Sequence, residues 1–112
     1  MNENQLYQGI VALLEARPAL LWHHCTDSRK CRGQRGFPDL VIIGPKGVIF
    51  AELKSADGDT SPEQDLFGWT LEAAENMCAP ACNSRVRLSQ VWRPDHLNGG
   101  DIEDQLDLIL GP

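Results

Sequence analysis

The sequence has few basic residues and no long hydrophobic run, and both absences limit what the protein can be. No apolar stretch approaches the roughly 18 residues that a membrane-spanning helix needs. Residues 1–4 lack the basic and apolar regions of a secretion signal, so we expect a soluble, cytoplasmic protein without membrane association. Repeats and low-complexity segments are also absent, and the 112 residues are expected to form one domain, 1–112.

The scarcity of basic charge is uneven along the chain. Ten Lys and Arg residues face 16 Asp and Glu residues, giving a net charge of −6, whereas nucleic-acid-binding domains usually present a basic surface. One glycine-containing segment nevertheless holds four basic residues with no acid between them: Arg29, Lys30, Arg32 and Arg35. This segment predicts a loop that attracts phosphate, although a solvated loop without function explains the same charges.

A hairpin with acidic residues on both strands is the most informative feature. Two apolar, β-branched runs flank the turn-forming residues 44–47, Gly-Pro-Lys-Gly. If these four residues form the loop, Ile43 pairs with Val48 and Asp39 falls opposite Glu52. Opposite partners have Cβ atoms roughly 4.5–5.5 Å apart, close enough for two carboxylates to hold one divalent cation. Lys54 projects from the same face as Glu52, two residues away.

Two acids and an amine around one point suit metal-assisted phosphodiester hydrolysis. Magnesium prefers oxygen ligands and keeps several waters. It also lowers the pKa of a bound water and neutralises charge on the scissile phosphate. A lysine such as Lys54 can orient or deprotonate the attacking water, or pair with the phosphate. A strand ending in Glu-Leu-Lys is equally typical of a solvated edge strand, so the motif alone does not decide.

The hydrophobic periodicity predicts an α/β fold in the order αβββαβ, with a short final helix. Helices are predicted at residues 3–16, from 61 onward and at 100–110, and strands at 20–24, 39–54 and 85–92. Ser61 or Thr60 should cap the second helix, with Pro62 in its first turn. Leu66, Trp69, Leu71 and Ala73/Ala74 are expected to form the buried face of that helix.

Pro38-Asp39 with Glu52-Leu53-Lys54 resembles the PD-(D/E)XK nuclease signature. The wider ordered set resembles its VRR-NUC (virus-type replication-repair nuclease) branch, through residues 27–29, 36–40, 51–55, 61–64 and 91–94. The resemblance covers about residues 3–108. It implies a mixed central sheet flanked by helices and a stand-alone nuclease domain of the kind found in phages and bacteria.

The resemblance also implies roles for individual residues. It makes Gln64 a site residue that orients Lys54 or the phosphate, and the backbone carbonyl of Leu53 a further metal ligand. An acid of the first helix usually completes the metal site, and Glu3 matches that position better than Glu15, which falls near the helix end. The implied cofactor is Mg²⁺, with Mn²⁺ as a substitute, and no organic cofactor is expected.

DNA is the expected partner, and several residues are candidates for contacting it. The resemblance favours branched DNA, such as a four-way junction or a flap, and a homodimer for paired cuts on a symmetric junction. Of the two adjacent histidines only one can face the site, and His24 is the better candidate, although a purely structural histidine is an alternative. The expected nucleic-acid-binding residues are His24, Ser28, Arg29, Lys30, Arg32 and Arg35.

The cysteines supply a competing hypothesis. Their spacings, C-x5-C and C-x3-C, are not standard for zinc, and without a secretion signal we expect reduced thiols rather than disulfides: Cys25, Cys31, Cys78 and Cys82. If their loops meet, a zinc-dependent interaction protein is possible. A non-catalytic nucleic-acid-binding module is the other alternative to a metal-dependent DNA endonuclease.

Overall fold

The computed structural model describes residues 1–25, 32–78 and 86–112. Its helices and strands follow the order α1 (Glu3–Glu15), β1 (Leu21–His24), β2 (Leu40–Gly44), β3 (Gly47–Leu53), α2 (Pro62–Cys78), β4 (Val86–Trp92), α3 (Pro94–Asn98) and α4 (Asp101–Leu110). The predicted α/β order is confirmed, and the short α3 is an addition to it. Within the described part of the chain, no helix is both long and apolar enough to cross a lipid bilayer.

The strands form one mixed sheet in the order β1-β2-β3-β4. The first three strands are antiparallel neighbours, while β4 runs parallel to β3. A parallel neighbour requires a crossover connection, and the chain segment containing α2 provides it. The predicted mixed sheet flanked by helices is therefore confirmed.

The β2–β3 hairpin has the predicted register with a tighter turn. Ile43 lies opposite Val48, as expected, but pairing continues to Gly44 and Gly47, so the turn has two residues instead of four. The tip packs against the end of α4. A Cβ on Gly44 would lie 2.5 Å from the carbonyl oxygen of Ile109, so only glycine fits this approach.

The hydrophobic core fills one face of the sheet, under α1 and α4. Its fully buried side chains come from α1 (Leu6, Ile10, Leu14), α4 (Ile102, Leu106, Ile109), β2 and β3 (Leu40, Ile42, Ile49, Ala51) and β4 (Trp92). The indole N–H of Trp92 donates to Gln105 (3.0 Å), which satisfies its polar atom. Arg17 ties α1 to α4 through Asp107 (2.8 Å) and Glu103 (3.0 Å).

The opposite face of the sheet is only partly covered, and the predicted buried face of α2 is wrong for all of its residues except Leu71, which is half-buried. Leu66 is 59% exposed, Trp69 is 66% exposed, and Ala73 and Ala74 are exposed as well. Because α2 packs against β4 and the segment before β2, a different stripe of the helix is covered. On that stripe Phe67 meets Phe37 edge to face, with ring centroids 5.6 Å apart.

Candidate active site

The two predicted acidic residues meet where β2 begins and β3 ends. Asp39 directly precedes β2, and Glu52 is the last residue but one of β3. Leu40 pairs with Ala51, so the register places Asp39 opposite Glu52. The backbone N–H of Leu53 donates to Oδ2 of Asp39 (2.9 Å), which fixes this carboxylate at the strand end. Glu52 is only 6% exposed, so its carboxyl group is largely removed from water.

Gln64 holds Glu52 from the first turn of α2. Ser61 and Gln64 form a reciprocal cap: Ser61 N–H donates to the Gln64 amide oxygen (2.8 Å), and Gln64 N–H donates to Oγ of Ser61 (3.1 Å). The cap occupies the amide oxygen and leaves the amide nitrogen free to donate. That nitrogen, Nε2, donates to Oε1 of Glu52 (2.7 Å). In the structure Gln64 thus contacts Glu52, whereas the resemblance implied Lys54 or the phosphate.

The carboxyl group of Glu52 is electrostatically unusual. Burial, followed by the proximity and negative charge of the Asp39 carboxylate, raises the pKa of Glu52 to about 9, while the nearby Lys54 opposes the shift. Among the described residues, no group donates a hydrogen bond to its buried Oε2 atom. A buried carboxylate oxygen without a partner is costly, and a bound cation would compensate for it.

Lys54 follows β3 directly and is half buried. Its backbone N–H donates to the carbonyl oxygen of Trp92 (3.0 Å), which continues the pairing with β4 beyond the last strand residue. None of the carboxylates in the described ranges forms an ion pair with its amine. The amine therefore lies beside Glu52, and no salt bridge within the described ranges neutralises it.

Arg93 supports the site, although the motif at residues 91–94 predicted no role for it. Its Nη1 atom donates to the carbonyl oxygens of Ser55 (2.8 Å) and Gly58 (2.7 Å), in the connection between Lys54 and α2. Arg93 thereby fixes the segment that carries the amine to the helix holding Gln64. A single arginine after a strand gives no sequence signal for such a clamp.

Gly36 allows the segment before β2 to pack against the first turn of α2. Its φ angle is +91°, and an added Cβ would lie 2.4 Å from the backbone carbon of Glu63. Both conditions favour glycine, since an L side chain is strained at this φ and would strike backbone atoms. The contact brings the residues leading to Asp39 against the helix turn that carries Gln64.

A cleft of about 280 Å³ opens beside Asp39, and Glu3 and His24 line it together with Tyr7 and Leu53. Glu3 lies exposed in the first turn of α1, and its charge contributes to the raised pKa of Glu52. His24 stacks on Tyr7 with ring centroids 3.9 Å apart. Burial lowers the pKa of His24, while the charge of Asp39 acts in the opposite direction. Glu15, the alternative acid, is exposed at the other end of α1.

Two carboxylates of the site, those of Asp39 and Glu52, could bind a metal ion. In the ranges that the structure describes, no three His, Cys, Asp or Glu side chains form a preformed metal cluster. Asp39 and Glu52 offer hard oxygen donors, and the unpartnered Oε2 of Glu52 fits a cation between them. Further ligands would be the carbonyl of Leu53, water or substrate, which is a donor set that suits Mg²⁺ or Mn²⁺.

Two of the predicted DNA-binding arginines flank Asp39. Arg35 borders a cleft of about 200 Å³ that also includes Asp39 and Gln64, and Arg32 borders another of about 190 Å³ on the side of His23. Both are exposed, and neither pairs with a carboxylate of the described residues. The predictions for Ser28, Arg29 and Lys30 lie outside the described residues.

The prediction of reduced cysteines is wrong for Cys25, which is disulfide-bonded. The prediction relied on the missing secretion signal, which concerns the cellular compartment and not the distance between sulfur atoms. Cys25 directly follows β1, and its backbone N–H donates to the carbonyl oxygen of Asp39 (3.0 Å). Cys31, Cys82 and the side chain of Cys78 lie outside the described part of the chain.

The chain matches no protein-family model, no curated protein and no solved structure. Its function is therefore inferred from the residues that meet at Asp39 and Glu52. These residues define a site with two oxygen donors, flanking arginines and one amine that pairs with no carboxylate of the described residues.

Proposed function

We propose that the protein is a divalent-metal-dependent DNA endonuclease with a PD-(D/E)XK core of the VRR-NUC type. The observation that carries this proposal is the pair of Asp39 and Glu52, whose carboxyl groups face each other although one of them is buried. Adjacent carboxylates destabilise each other when both are ionised. A bound cation turns this unfavourable pair into a binding site, and perturbed acids in a cleft are typical of functional sites.

Asp39, Glu52 and the Leu53 carbonyl would hold Mg²⁺ or Mn²⁺, with Glu3 supporting the site from the cleft. The metal would polarise the scissile phosphate and lower the pKa of the attacking water. The remaining tasks belong to side chains. Lys54 orients the water and stabilises charge on the phosphate as a point charge. Gln64 fixes the orientation of Glu52 by its 2.7 Å hydrogen bond.

The proposed substrate is branched DNA, and the proposed assembly is a homodimer. Arg32 and Arg35 flank Asp39 and can contact backbone phosphates, which set position on DNA without reading sequence. Recognition of shape fits a small chain of this kind. On the sheet face that α2 leaves open, Leu21 is 67% exposed and Ile43 is 50% exposed, and exposed apolar patches favour association.

The direct test is cleavage of a labelled four-way junction, a flap and a linear duplex with Mg²⁺ or Mn²⁺. Lys54→Ala should reduce the rate at least about 100-fold, since it removes the amine beside the phosphate. Lys46→Ala is the matched control, because Lys46 is exposed at the opposite end of the same hairpin. Folded wild-type protein that cuts no substrate with either metal would contradict the proposal.

A non-catalytic nucleic-acid-binding module is the second candidate. It is favoured by the observation that no third acidic side chain of the described residues completes a metal cluster with Asp39 and Glu52. Calorimetric titration with Mn²⁺ separates the two candidates. Binding that Asp39→Ala abolishes supports the nuclease, whereas binding indifferent to this substitution supports the module.

The zinc-dependent interaction protein is less well supported by the structure. A zinc site needs thiolate ligands, and the sulfur of Cys25 is engaged in a disulfide. Metal analysis of the purified protein tests this alternative, because stoichiometric zinc would restore it.

A further inference from the structure

An exposed tryptophan stands at the rim of a groove that leads to Glu52. Trp69 on α2 is 66% exposed, although tryptophan is on average highly buried in folded proteins. The groove runs between α2 and β4, has a volume of about 170 Å³, and is lined by Glu52, Gln64 and Trp69 among others. A large aromatic ring and the buried carboxyl group of the site therefore border the same space.

The size and chemistry of the groove suit a nucleobase. A protein cavity of about 150 Å³ accommodates a benzene ring, so this groove can admit one planar base. Asp65 and Glu72 line its α2 side, and Gln90 lines its β4 side. Acidic side chains repel phosphate but accept hydrogen bonds from the amino groups of bases. The groove therefore favours a base over the sugar-phosphate backbone.

The position of Trp69 relative to the site also fits the spacing of nucleotides. Trp69 lies five residues after Gln64, about 7.5 Å along the axis of α2. Successive nucleotides of a strand rise by about 3.4 Å. A base one or two nucleotides from a phosphate at Glu52 can thus reach the indole ring. An unpaired base reaches it at the lowest cost, because it need not leave a base pair.

We propose that the groove beside Trp69 binds an unpaired DNA base next to the cleavage position, stacked on the indole ring. This inference rests on the proposed nuclease function and adds a substrate determinant to it. The site then selects branched DNA through an unpaired nucleotide that a continuous duplex lacks. A second copy of this chain covering Trp69 is the competing occupant of the groove and is an outcome of the test below.

The test compares two labelled flap duplexes that differ at one nucleotide, an unpaired cytosine in one and an abasic residue in the other. With Ca²⁺ replacing Mg²⁺, wild-type protein should bind the cytosine-bearing flap roughly tenfold more tightly, the size expected for one base–aromatic stack. Trp69→Ala should abolish this preference, and Trp69→Phe should retain part of it. Trp22→Ala is the control, because Trp22 is also exposed but packs beside Tyr7, outside the groove.

Each outcome decides the inference separately from the proposed function. Equal binding of the two flaps by wild-type protein, or an unchanged preference in Trp69→Ala, would overturn it. If Trp69→Ala also converts a dimer to a monomer in sedimentation while the preference persists, a second copy occupies the groove instead. Wild-type cleavage without base preference keeps the nuclease and removes this inference. Base preference without cleavage of any substrate contradicts the nuclease and the cleavage position, and supports only the binding of an unpaired base in the groove.

Discussion

The two ends of the β2–β3 hairpin share one register but differ in how well their polar groups are satisfied. At the tip, the backbone N–H of Lys46 donates to the carbonyl oxygen of Ile109 (2.8 Å), and Gly44 allows the close approach. At the open end, Asp39 and Glu52 crowd two carboxyl groups together, and Oε2 of Glu52 is buried without a partner in the described structure. The satisfied polar groups at the tip stabilise the fold. The crowded carboxyl groups at the open end destabilise it, which is common at functional sites.

The largest expected effect is a pH dependence of the unfolding free energy, which Glu52 at the open end produces. The folded protein binds a proton at Glu52 up to a pKa of about 9, whereas the unfolded chain releases it near 4.5. Between these pH values the folded state holds more protons, so the unfolding free energy of the metal-free protein falls as pH rises. One proton limits the slope to about 1.4 kcal/mol per pH unit.

Thermal unfolding in a chelator from pH 5 to 9 measures this effect. Glu52→Gln should remove the downward slope, because the amide does not titrate. Adding Mg²⁺ or Mn²⁺ to wild-type protein should oppose the loss at high pH. If the unfolding free energies of wild type and Glu52→Gln instead changed in parallel with pH, Glu52 would not be the source of the pH dependence.

The next effect concerns the contact that brings the Asp39 segment against α2. Gly36→Ala should lower the unfolding free energy by about 3 kcal/mol, since it combines a positive φ with a backbone clash. Gly33→Ala is the matched control, because Gly33 also has a positive φ but an added Cβ would meet no atom within 4 Å. Denaturant unfolding that shows equal losses for both variants would disprove the role of the clash.

A smaller effect is expected for two arginines that each bridge different parts of the fold, Arg93 and Arg17. Both substitutions should lower stability, but only one should slow cleavage. Arg93→Lys should cost about 1–2 kcal/mol of stability, because lysine cannot span the carbonyls of Ser55 and Gly58 in the same geometry. Arg17→Lys should cost a similar amount through its contacts with Glu103 and Asp107. Only Arg93→Lys should also slow junction cleavage well below the melting temperature. Equal cleavage rates in the two variants would remove Arg93 from the site.

The hairpin register was predictable because local signals determine it. The turn residues and the lengths of the apolar runs were sufficient to pair Ile43 with Val48, and the position of Asp39 opposite Glu52 followed. The tighter turn was missed because its closure depends on contact with Ile109, a residue more than 60 positions away in sequence.

The exposure of Trp69 and the contact of Gln64 with Glu52 could not be predicted in the same way. Hydrophobic spacing identifies an apolar stripe on a helix but not which neighbouring element will cover it. On α2 the covered stripe contains Phe67, while Leu66 and Trp69 face outward. The bond from Gln64 to Glu52 depends on the approach of Gly36 to Glu63, which is a tertiary contact.

The most direct test of the central claim is to measure junction cleavage and unfolding free energy together for Asp39→Asn. The asparagine oxygen can still accept the Leu53 N–H, but the carboxylate that crowds Glu52 is gone. We predict a cleavage rate at least about 100-fold below wild type, with metal-free stability equal to or above wild type. Cleavage at the wild-type rate by this variant would contradict a catalytic metal site at Asp39 and Glu52.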